Sequence, residues 1–141
     1  MSLFEWNDSF CVDHKLLDEQ HKKYPIVINM IDNALKTNNI HAVGTEVFKR
    51  LDDYIDEHFS TEENLMEKHG FSGYEAHKKE HEDFTKKIKE FENKVKEQNG
   101  IFKEALAVEL NEFLIEWFYF HMRQVDMKYR MFFDEKCNNP D

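Results

Sequence analysis

Apolar side chains recur along this chain in alternating steps of three and four, the spacing that lines one face of a helix. The first stripe runs Leu17, His21, Tyr24, Ile28, Ile31, Leu35 and ends in the polar run Thr37, Asn38, Asn39. The second, Val47, Leu51, Tyr54, His58, Glu62, Leu65, stops near Gly70, a residue free to take the positive φ of a helix C-terminus. The third, Tyr74, His77, His81, Phe84, Ile88, Phe91, Val95, ends before Asn99 and Gly100. The fourth, Leu106, Leu110, Leu114, Trp117, His121, continues towards Tyr129 and Phe132. Four glycines and two prolines in 141 residues leave little room for the turns of an all-β fold. The pattern predicts an all-α protein, an up-down-up-down antiparallel four-helix bundle over residues 17–134. An N-terminal arm over 1–16, carrying Phe4, Trp6 and Phe10, should pack on the bundle, and 135–141 form a tail. Pro25 falls one turn after His21 and removes the hydrogen bond to that residue's carbonyl, so the first helix should kink or begin late there.

Length and composition narrow the function classes. A chain of 141 residues can bury one core but not two, which makes residues 1–141 a single domain. A net charge of -10 would repel nucleic acid and anionic membranes alike, and neither is an expected partner. The first ten residues lack the basic and apolar regions of a secretory signal, and the apolar run Trp117 to Phe120 is too short to span a bilayer. A cytoplasmic protein is expected, with Cys11 and Cys137 as free thiols rather than a disulfide.

What changes the picture is the polar residues on the apolar stripes. His21, His58, Glu62, His77, His81, His121 and Asp126 sit on or beside them. A lone histidine there is usually a core residue with an ordinary hydrogen-bond partner. Burying five imidazoles and two acids without strong partners would cost several kcal/mol apiece, and a metal removes that cost. His58 and Glu62, like His77 and His81, are four residues apart and share a helical face. His121 and Asp126 are five apart, about 140° round an ideal helix, so a π-bulge or a long reach by the acid is needed to turn both inward. Imidazole and carboxylate without thiolate suit iron, copper, nickel or zinc, the mixture being typical of iron. Seven protein ligands exceed one ion's octahedral need, so two metals sharing the carboxylates is the economical arrangement. The remaining histidines, His14, His41 and His69, have ordinary surface or helix-end roles.

Trp6, the Leu-Asp-Glu-Gln-His run at 17–21, His-Phe-Ser-Thr-Glu-Glu-Asn-Leu-Met at 58–66, Gly-Tyr-Glu-Ala-His-Lys-Lys-Glu-His at 73–81, and Trp117 through His121 to Asp126 and Tyr129 together resemble the hemerythrins, most closely the bacterial single-domain type. The resemblance covers essentially the whole chain. It implies a non-haem di-iron centre that binds dioxygen reversibly, for storage, delivery or transport. His77, His81 and His121 would hold one iron, His21 and His58 the other. Glu62 and Asp126 would bridge them together with an oxo or hydroxo group. The open coordination position would lie on the iron held by His21 and His58, beside an apolar wall of Ile28, Phe59, Trp117, Phe118 and Met122. Phe118 stands where related proteins usually carry a leucine that closes over the bound dioxygen. The implied partners are dioxygen and an oxygen-consuming enzyme that receives it, with the chain a monomer. Five neutral imidazoles supply less negative charge than the carboxylate-rich sets of di-iron oxygenases, which favours binding over turnover and a protein that is not an enzyme. The competing readings are a di-iron oxidase, peroxidase or nitric-oxide reductase, and a sensor of oxygen or iron.

Overall fold

The computed structural model of the chain describes residues 15–121, all helical apart from short connections. Its elements are α1 (Lys15–His21), α2 (Lys23–Lys36), α3 (Ile40–Tyr54), a π turn (Ile55–Phe59), α4 (Ser60–His69), α5 (Tyr74–Glu97) and α6 (Glu104–Phe120). They stack into four columns, with α1 and α2 forming the first and α3, the π turn and α4 the second. Connections of a few residues make neighbouring columns antiparallel. The α2 column packs on α3 and α6, and α5 packs on α4 and the π turn. The N-terminal arm, the tail, Cys11 and Cys137 lie outside the described residues.

The first column is interrupted at Lys22, just before Pro25. Lys22 separates α1 from α2 but keeps right-handed helical angles, φ -65° and ψ -17°, so the chain turns without leaving the column. Pro25 is the third residue of α2, where the N–H would lack an intrahelical partner in any case. His21 stays fully buried across the break.

The second column holds a distortion that the expectation of a clean helical step between His58 and Glu62 does not include. Tyr54, His58, Glu62 and Met66 are all buried and follow one another by four residues. Each step of four overshoots an ideal helix by about 40°, and three in a row drift by about 120°. The π turn takes up that drift with its extra residue per turn. Adjacent residues thereby both face inward, His58 at 1% exposure and Phe59 at 4%. The column then ends as expected, Gly70 taking φ 68° while the Phe71 N–H donates to the Met66 carbonyl at 2.9 Å.

Two buried polar contacts tie the first column to the fourth. The Tyr24 hydroxyl donates to the Leu114 carbonyl at 2.7 Å, and the Asn111 amide donates to the Ile28 carbonyl at 3.2 Å. Around Tyr24 the core is aromatic, with Phe118 stacked at 4.6 Å and Tyr54 edge-on at 5.3 Å. A smaller cluster of Leu17 and Met66, flanked by Leu65, Phe71 and Tyr74, packs between α1 and α4. No helix among the described residues is long and apolar enough to cross a membrane.

Candidate metal centre

Glu62, fully buried on the first turn of α4, is the hub of the site. Its two oxygens face different histidines. Oε1 lies 2.5 Å from His77 Nε2, 3.1 Å from His81 Nε2 and 4.0 Å from His121 Nε2. Oε2 lies 3.5 Å from His58 Nε2 and 3.6 Å from His21 Nε2. Five imidazoles from all four columns thus point the same ring nitrogen at one carboxylate, three on one side and two on the other. Each is at most 2% exposed.

An ordinary hydrogen-bond network does not account for this geometry. Separations of 3.5, 3.6 and 4.0 Å exceed the range of a hydrogen bond. They match ligand atoms around shared ions, since two donors each about 2.1 Å from one ion sit roughly 3 to 4 Å apart. Glu62, His77, His81 and His121 form one such group and His21, His58 and Glu62 another, with the donor atoms of each group within 4.8 Å of one another. The donor chemistry also fits, because neutral imidazoles and an ionised carboxylate are the forms a transition metal takes. Burial pushes the Glu62 carboxyl up, but the positive charge that His77 and His58 can carry outweighs it and holds the group well below the usual carboxylate range. Burial pushes His81 down, but its contacts with Glu62 and Glu63 outweigh that and raise it.

The rings are held from behind. His58 Nδ1–H donates to Gln20 Oε1 at 2.9 Å, and the Gln20 amide nitrogen faces Thr61 Oγ1 at 3.4 Å and Glu57 Oε1 at 3.5 Å. His81 Nδ1–H donates to Glu63 Oε2 at 2.8 Å. These bonds place the proton on Nδ1 and leave Nε2 as the donor atom facing Glu62. The sequence pattern puts Glu63 on the outer face as a solvated charge; in the structure its side chain is 21% exposed and bound to His81. Gln20, only 4% exposed, carried no sequence signal beyond its place before His21. Each pair lies at the foot of a surface cleft, one of about 360 Å³ reaching Gln20 and His58, the other of about 410 Å³ reaching Glu63 and His81.

Of the expected apolar wall, Phe59 stacks on His81 with ring centres 3.8 Å apart and planes at 1°, and Trp117 stacks on His121 at 4.2 Å and 12°. Both rings therefore cover the side of the three histidines. Phe118 and Ile28 are fully buried, Phe118 against Tyr24. Asp126 and Met122 lie outside the described residues, which end at His121, as does Tyr129.

A four-helix bundle that turns five imidazoles onto the two faces of one buried carboxylate defines a class, the helical-bundle proteins with a histidine-rich site for paired metal ions. The model of one family in that class, the hemerythrin HHE cation binding domain, matches residues 12–132. A bacteriohemerythrin of Pseudomonas paraeruginosa is 35% identical over 129 residues, 92% of this chain and 80% of the relative. A hemerythrin-like protein of Naegleria gruberi is 30% identical over 92% of each chain, and a myohemerythrin of Sipunculus nudus 29% identical over 90% of this chain and 91% of its own. The chain belongs to the hemerythrin family.

Proposed function

We propose that this protein binds dioxygen reversibly at a di-iron centre built on Glu62, for storage, delivery or transport. The observation that carries the reading is the division of labour at Glu62, one oxygen towards His77, His81 and His121 and the other towards His21 and His58. That arrangement gives two adjacent positions with different numbers of imidazoles, of which the two-histidine position is the one left short of ligands. Two irons there would supply the electron pair that reversible dioxygen binding needs. Asp126 is proposed as the second bridging carboxylate, and an oxo or hydroxo group from solvent as the third bridge.

The chain's own residues do the rest. The neutral imidazoles donate through Nε2 and leave the centre short of negative charge, which favours release of dioxygen over its cleavage. Gln20 and Glu63 keep the Nδ1 protons in place on His58 and His81. Phe59 and Trp117 stack on His81 and His121 and present apolar surface to the three-histidine face. Binding rather than turnover is therefore the proposed activity, and an oxygen-consuming enzyme the proposed recipient. The test is to reduce the iron-loaded protein anaerobically, admit dioxygen and degas. A visible charge-transfer band that comes with dioxygen and goes on degassing is the expected result. A di-iron protein without that band, or one that steadily oxidises an added reductant instead, would overturn the proposal.

A further inference from the structure

Two rings of the cluster are held by acceptors of different charge. His58 donates to the neutral amide of Gln20 at 2.9 Å, and His81 to the carboxylate of Glu63 at 2.8 Å. The two rings also belong to opposite faces of Glu62, His58 towards Oε2 and His81 towards Oε1. Gln20 is fixed in its role: with its nitrogen turned to Thr61 and Glu57, its oxygen is the atom presented to His58. Glu63 is one residue from the hub and remains partly exposed, so its carboxylate keeps contact with water while it accepts from His81.

A carboxylate that accepts an imidazole N–H pulls the proton towards itself and raises electron density on the far nitrogen, while an amide carbonyl does so more weakly. From this we infer that Glu63 and Gln20 set an order of metal affinity. The position on His77, His81 and His121 is strengthened by Glu63 and fills first. The position on His21 and His58, backed by a neutral amide, fills second and gives up its ion first. The inference rests on the reading of the cluster as a site for two ions, and goes beyond it by assigning part of the difference between them, over and above their unequal numbers of imidazoles, to two residues that back the rings.

The experiment is an anaerobic calorimetric titration of the metal-free protein with cobalt(II), followed in parallel by its visible absorption, for the wild type, Glu63→Gln and Gln20→Glu. Glutamine at 63 keeps an acceptor oxygen and the shape, so a merely structural role would leave both binding constants in place. The expected result is two ions per chain in the wild type, a tighter step weakened about 10- to 100-fold in Glu63→Gln with the weaker step little changed, and a weaker step strengthened several-fold in Gln20→Glu. The cobalt spectrum of the first equivalent should shift in Glu63→Gln and not in Gln20→Glu. Two ions with both constants within twofold of wild type in the two variants would overturn the inference and leave the two-metal reading standing. Fewer than two ions in the wild type would overturn both. Should one variant fail to fold by circular dichroism, the other reads the same claim from the opposite position.

Discussion

At the residue scale the site turns on Glu62. It is the one described side chain that reaches both groups of histidines, so Glu62→Gln removes the only charge they share among the described residues. Iron measured per chain should fall by half or more, with helicity by circular dichroism retained. Unchanged iron content would show that Glu62 is not a bridge. The histidines themselves were legible in the sequence because helical spacing placed each on an apolar stripe, where an imidazole needs a reason to be. Gln20 and Glu63 were not. Gln20 meets His58 across 38 positions of sequence and Glu63 meets His81 across 18, and no local pattern encodes either contact. Glu63 also sits about 100° round the helix from the buried Glu62, an angle that reads as outward until α5 packs alongside.

At the scale of elements, the four columns and their ends followed from periodicity and from a few special residues. Pro25 announced the break between α1 and α2 because the loss of a backbone donor is a covalent fact. Gly70 announced the end of α4, and its φ of 68° makes a testable cost. Gly70→Ala meets no neighbour within 4 Å, so the left-handed backbone alone should lower stability, by about 1 kcal/mol in urea unfolding of the metal-free protein. The π turn was harder to read, since stripes of threes and fours tolerate drift and only the run Tyr54, His58, Glu62, Met66 exposes it. Deleting the exposed Asp56 takes out the extra residue and lets the segment close as an α-helix, which keeps Glu62 and Met66 in phase with Tyr54 but changes the aim of His58 and Phe59. The protein should remain helical by circular dichroism and lose most of its bound metal; full metal content after the deletion would mean that the π turn does not aim His58.

For the whole molecule, folding and metal binding are linked through the same buried groups. In the metal-free protein the Glu62 carboxyl is held below its ordinary value of 4.5, so its contribution to stability is present above that value and is lost as pH falls through the lower, folded one. His81 is raised above its ordinary 6.5, so its contribution is present below that value and is lost as pH rises through the higher, folded one. These two groups therefore favour the metal-free fold most in mildly acidic solution, roughly pH 5 to 6. Metal binding runs the other way, because a protonated imidazole cannot donate to an ion. The gap in melting temperature between loaded and chelator-treated protein should widen from pH 5.5 to 8; a constant gap would contradict the linkage. The most direct test of the account is the iron stoichiometry of the purified protein loaded anaerobically with ferrous iron. Two irons per chain, bound tightly enough to survive gel filtration, is the predicted result, and one iron or none would contradict the central claim that the faces of Glu62 build two metal positions.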